Sequence, residues 1–116
     1  MRVLVCGDRN WADYVAIRRE LSKCPRGTVV IEGDCRGADR IAGEVAEALG
    51  FEVVRYPANW AAFGRGAGLV RNRQMLMEGK PDVVLAFHAD LAASRGTANM
   101  LAQARAAGVP VRVLGS

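Results

Sequence analysis

Arg2-Val3-Leu4-Val5-Cys6-Gly7-Asp8-Arg9-Asn10-Trp11 is the stretch that decides the fold. Val3–Cys6 is apolar at every position, as in a strand covered on both faces. Gly7 follows at once and marks a tight turn into a polar loop. Four more runs share this character: Val29–Glu32, Glu52–Tyr56, Val83–Phe87 and Val109–Leu114. Between them lie helix-length segments with apolar residues three and four apart. The first carries Tyr14, Ile17 and Leu21, the second Ile41, Val45, Ala48 and Leu49, and the last Met100, Leu101 and Ala104. A less regular segment spans about Gly66–Glu78. Gly50, Gly79 with Pro81, and Gly108 with Pro110 read as helix stops. The order βαβαβαβαβ predicts an α/β, Rossmann-like three-layer sandwich around a five-stranded parallel sheet with right-handed crossovers.

The chain has 116 residues, 51% of them hydrophobic, and shows no linker, repeat or low-complexity segment, so one domain is expected over residues 1–116. No segment approaches the roughly 18 uncharged apolar residues of a membrane span. The N-terminus enters a strand directly and lacks the pattern of a signal peptide, which predicts a cytoplasmic setting. Cys6, Cys24 and Cys35 form no CxxC, and His88 is the one histidine. Neither a disulfide framework nor a metal site is expected, and no cofactor. The net charge is +4, with fourteen arginines against two lysines. Arginine suits phosphate recognition, yet a charge this modest gives nucleic acid only weak support.

In a parallel sheet of this kind the ligand crevice lies beyond the carboxyl ends of the strands. The loops expected there are Gly7-Asp8-Arg9-Asn10-Trp11, Gly33-Asp34-Cys35-Arg36-Gly37-Ala38-Asp39, Pro57-Ala58-Asn59-Trp60 with Gly64–Gly68, and His88 through Ser94-Arg95-Gly96-Thr97. Glycines let the backbone approach a phosphate, and helix N-termini offer unpaired N–H groups. Arg9, Arg36, Arg65, Arg71, Arg73 and Arg95 fall in or just after these loops, among Asp8, Glu32, Asp34, Asp39 and Asp90. A mixed rim suits a ligand with phosphates and hydroxyls better than a polyanionic strand. Neither a Walker A loop nor a GxGxxG fingerprint is present. Each feature also has a plain structural role: Asp39 can complement a helix dipole, Trp11 and Trp60 can pack, and Ser94 and Thr97 can cap. His88, alone at a strand end, is set aside.

Taken in order, Gly7-x-Arg9-x-Trp11, Gly33-x-x-x-Gly37-Ala38-Asp39, Pro57-Ala58-Asn59-Trp60, Gly68-x-x-Arg71-Asn72-x-x-Met75 and Gly96-Thr97 resemble the YspA/YpsA-related branch of the SLOG superfamily. That superfamily is Rossmann-like and includes the "lonely guy" phosphoribohydrolases and the DNA-uptake protein DprA. The resemblance implies binding of a nucleotide or nucleotide derivative. The phosphoribohydrolases pair an arginine with a glutamate that follows a Gly-Thr loop. Arg71 and Gly96-Thr97 match, but Met100 stands at the glutamate position. A thioether is neither a general acid nor a general base. A binding module is therefore expected rather than an enzyme, with Arg71 and Asp39 as the remaining catalytic candidates.

The expected activity is binding or sensing of a nucleotide-derived small molecule. Gly7, Arg9, Gly96 and Thr97 would hold phosphate with Arg71 as charge partner, Asp39 and Asn72 sugar or base groups, and Trp60 a stacked base. Trp11, Gly33, Gly37, Asn59 and Gly68 complete the expected ligand-binding set. The alternatives are an N-glycosidic or phosphoribo-hydrolase with a displaced carboxylate, and single-stranded nucleic-acid binding, which is less favoured. A homodimer fits the resemblance; a membrane partner does not fit the composition.

Overall fold

The computed structural model describes residues 1–115. Five strands, β1 (Arg2–Gly7), β2 (Val29–Glu32), β3 (Glu52–Arg55), β4 (Val83–Phe87) and β5 (Val111–Leu114), form one parallel sheet in the order β3-β2-β1-β4-β5. This is the Rossmann-like α/β sheet expected from the strand pattern. The helices are α1 (Tyr14–Leu21), α2 (Ala38–Ala48), the single turn α3 (Trp60–Phe63), α4 (Ala67–Gly79) and α5 (Arg95–Ala106). Among the described residues no helix is long and apolar enough to cross a membrane.

The continuous apolar strands arise because helices cover both faces, so both sets of alternating side chains are buried. Val3, Val5, Val30, Leu85 and Phe87 face α1 and α2, meeting Ile17, Leu21, Ala42 and Val45. Leu4, Cys6, Ile31, Val84 and Ala86 face α4 and α5, meeting Met75, Leu76, Met100 and Leu101. The chain adds β2 and β3 on one side of β1, then crosses to add β4 and β5 on the other. Loops after β1 and β4 thus diverge to opposite faces and leave a crevice between them.

Capping explains most boundaries. Asp13, Asn59 and Ser94 accept from the N–H of Ala16, Ala62 and Thr97 at the starts of α1, α3 and α5. Gly50 and Gly108 follow α2 and α5 with φ of 80° and 74°. The stop at Gly79 falls where the sequence places it, although glycine is not its left-handed residue. Gly79 is the last residue of α4, and Lys80 holds the left-handed position, with φ 47° and ψ 57°. Glycine at position 79 answers to packing instead: a Cβ there would lie 3.1 Å from Ile31 Cδ1. The irregular third segment, about Gly66–Glu78, is α4, preceded by α3 and a 3₁₀ turn over Gly64–Gly66. The last strand begins later than expected, because Val109 N–H bonds back to Ala104 O at the end of α5.

A side chain in the left-handed region is strained, and glycine there relieves the strain at some entropic cost. Lys80→Gly is expected to stabilise the protein by roughly 0.5–1 kcal/mol, raising the melting temperature by about 3 °C. Calorimetry reads this directly; a lower melting temperature would mean that Lys80 contributes more through its contacts than its backbone costs.

Candidate functional site

The crevice between the β1 and β4 loops holds a cavity of about 360 Å³. Its walls are Cys6–Asn10 from β1, Cys35, Arg36 and Asp39 from the start of α2, Arg71, Asn72 and Met75 from α4, and His88 with Ala93–Thr97 ahead of and within α5. Two glycines let these loops close together. A Cβ on Gly7 would overlap the Phe87 carbonyl oxygen and lie 2.9 Å from Ala38 Cβ. Gly37, with φ 80°, leaves space for the Asp8 and Arg9 carbonyls, onto which a Cβ would intrude. Two backbone bonds fix the arrangement: Asp8 N–H to Phe87 O at 3.0 Å, and Ala38 N–H to Asp8 O at 3.1 Å.

Beneath the cavity the backbone of Gly33 is gripped from two elements. Asp39 Oδ2 accepts from Gly33 N–H at 3.1 Å and Cys35 N–H at 3.3 Å. Arg71 Nη1 donates to Gly33 O at 2.5 Å and lies 3.6 Å from Cys35 Sγ, while its Nε donates to Asn72 Oδ1 at 3.1 Å. Asn72 Nδ2 in turn donates to Gly96 O at 3.1 Å and Asn99 Oδ1 at 3.3 Å. One polar chain therefore links the β2–α2 loop through α4 to the first turn of α5. A side chain at Gly33 would collide with this chain, since a Cβ would lie 2.9 Å from Asp39 Oδ2. Among the described residues Arg71 Nη2 and Asp39 Oδ1 make no hydrogen bond, although both residues line the cavity and are more than nine-tenths buried.

Two acids here are shifted. Burial pushes the Asp39 carboxyl up to about 6, against the opposing pull of the Arg71 charge and the two N–H donors. Burial, then the Asp39 charge, pushes Glu32 up to about 7. Glu32 is fully buried; its Oε1 accepts from Asp34 N–H at 2.9 Å, while its Oε2 has no partner. Arg55 Nε lies 3.9 Å from Glu32 Oε1, but Arg55 donates at 2.6 Å to exposed Glu47.

The structure brings together Gly7, Arg9, Asp39, Arg71, Asn72, Gly96 and Thr97 on the cavity wall. Gly33 and Gly37 lie behind it and shape it. Trp11 is buried and stacks at a tilt on Phe87, ring centroids 5.7 Å apart, with its indole N–H bonded to Asp13 O. Asn59 caps α3, Trp60 is half exposed at the start of that turn, and a Cβ on Gly68 would lie 3.9 Å from the Trp60 ring. Those three stand outside the cavity lining. Met100 is fully buried in the core on the α4–α5 face. Sequence reasoning missed Cys6 and Met75 as lining residues and set His88 aside. The spacing of Arg71 and Met75, four residues apart on one helix, placed both on one face.

Both shifted carboxyls are raised in the folded state. Their stabilising contribution is complete below the usual carboxylate range and is lost as pH rises through about 6 for Asp39 and about 7 for Glu32. The melting temperature is expected to fall by on the order of 10 °C between roughly pH 5 and pH 8, with Glu32→Gln flattening much of that slope. Equal slopes in the two proteins would show that Glu32 does not titrate in this range.

A family model described as YAcAr, the YspA, cpYpsA-related SLOG family, matches residues 1–63. The chain is 40% identical over 119 residues to Gene 61 protein of Mycobacterium phage D29, covering 95% of this chain and 93% of the phage protein. Among solved structures, DNA processing protein A (DprA) from Streptococcus pneumoniae aligns with a TM-score of 0.81 and 16% identity over 99% of this chain. The chain spans 50% of that protein's length, and the likeness is one of fold. With the family model over more than half its length and a phage relative along nearly all of it, the chain belongs to the YspA, cpYpsA-related SLOG family.

Proposed function

We propose that the cavity between the β1 and β4 loops binds a nucleotide-derived small molecule, its phosphate toward α5 and its sugar hydroxyls toward Asp39. The observation that carries this reading is the unequal treatment of the helix N-termini that follow β1 and β4, the strands whose loops flank the crevice. The start of α1 is closed by the Asp13 carboxylate, which accepts from Ala16 N–H at 3.0 Å and repels an anion. The start of α5 carries a neutral serine cap, and its residues Ser94–Thr97 line the cavity. The Arg95 and Gly96 N–H groups precede the first intrahelical bond, Ala98 N–H to Ser94 O. A phosphate there meets free N–H groups, the positive end of the helix dipole and the Arg95 charge. On the α2 side, Asp39 Oδ1 supplies an acceptor for hydroxyl groups, where a phosphate would be repelled.

A specific observation favours a second reading, single-stranded nucleic-acid binding. Trp60 and Phe63 are about half exposed, and Arg65 follows on the same short segment. Exposed aromatics beside arginine form a stacking surface for bases. DprA, whose fold this chain shares, is a DNA processing protein.

Thermal shift against AMP, NAD, ADP-ribose and cyclic nucleotides separates the readings. A ligand at 100 times its dissociation constant adds about 2.7 kcal/mol, or on the order of 10 °C for a domain of this size. Arg95→Ala is expected to remove most of that shift and Trp60→Ala to leave it intact. A flat panel with protein free of co-purified ligand would contradict the nucleotide reading. Loss of oligonucleotide binding in Trp60→Ala, with steep weakening by salt, would favour the second. Incubation with any hit then separates holding from turnover.

A further inference from the structure

His88 is the first residue beyond β4, beside the point where the strand order reverses. It is 7% exposed, lines the cavity, and is held in place by its backbone N–H bond to Leu114 O at 3.0 Å. Its Nδ1 accepts from Asp90 N–H at 3.0 Å. Asp90 is itself fixed, because its Oδ1 accepts from Ala92 N–H at 3.2 Å in the next turn. A neutral imidazole that accepts at Nδ1 carries its hydrogen at Nε2. Among the described residues Nε2 has no hydrogen-bond partner, and it is not among the side-chain nitrogens sealed off from solvent. The ring is thus a buried donor, oriented by its own loop and left open on a cavity that also receives the start of α5.

We infer that His88 is a ligand-reading residue, whose Nε2–H donates to an anionic phosphoryl oxygen of the molecule bound at the start of α5. This rests on the nucleotide reading for the ligand but not for the donor geometry. A ring fixed in this tautomer can only donate through Nε2, so it accepts an oxyanion and rejects a group that presents a hydrogen. Thr97, 5% exposed and lining the same wall, stands on the first turn of α5. His88 and that turn line the same cavity from two different elements.

Two substitutions separate ligand contact from loop support. Asn places an acceptor where Nδ1 stands and so keeps the Asp90 bond, but it lacks the outer donor. Gln carries its amide N–H near Nε2 and gives up the Asp90 bond. In titration calorimetry with AMP, His88→Asn is expected to weaken binding about tenfold, as for loss of a hydrogen bond to a charged group, and His88→Gln to stay within about threefold. The reverse order would mean that the ring only supports its loop, and would overturn the inference. His88 is the one histidine in the chain, so its ring nitrogens give unambiguous NMR signals in unmodified protein. The free protein is expected to show the Nε2–H tautomer, and both inorganic phosphate and AMP to move that signal. An Nδ1–H tautomer, or signals unmoved by either probe, would overturn the inference. If no nucleotide binds while inorganic phosphate still moves Nε2–H, the nucleotide reading falls and the role of His88 stands.

Discussion

The site depends on the two peptide groups that meet at Gly33. Gly33 gives its N–H to Asp39 on α2 and its carbonyl to Arg71 on α4, helices that cover opposite faces of the sheet. The two charges attract across this residue, yet among the described residues no nitrogen–oxygen contact within 4 Å joins them directly. Removing either partner would leave the other buried with an uncompensated charge, which is strongly destabilising. Nε and Nη1 of Arg71 hold the frame, which leaves Nη2 without a hydrogen bond among the described residues. Asp39 divides in the same way, with Oδ2 on the backbone and Oδ1 free.

That division changes what mutation of the site can reveal. Arg71 and Asp39 are buried members of a polar chain that continues through Asn72 to Gly96, so their replacement disturbs three elements at once. The Arg95 and His88 side chains make none of the hydrogen bonds of that chain, so their replacement disturbs the fold less. Glu32 adds a related constraint. Its orphaned Oε2 faces Gly43, where a Cβ would lie 2.9 Å away, so the glycine in α2 accommodates the buried carboxyl.

Much of the architecture was legible because strands buried on both faces are apolar at nearly every position, a signal hard to confuse in Val3–Cys6 or Val83–Phe87. The stop at Gly79 is legible in the sequence, but Lys80 takes the left-handed position, and contact with Ile31 across the helix–sheet interface accounts for glycine at position 79. The four loops were recognised, yet not which of their side chains turn inward. Trp11 and Trp60 belong to the same sort of motif, but one is folded beneath its loop against Phe87 and the other stands on an outer turn. His88 carried no sequence pattern at all. Its position at a strand end became informative only when Asp90 N–H was found on Nδ1, a contact that depends on how the next turn folds.

Binding at the switch point with phosphate on α5 is tested most directly by mapping backbone amide NMR shifts during titration with AMP. The largest changes are expected at Gly96 and Thr97, with smaller ones at Gly7 and Arg9 and little at Ala16 or Trp60. Changes centred on Trp60 and Phe63, with α5 silent, would move the ligand to the outer face and contradict the assignment of this cavity.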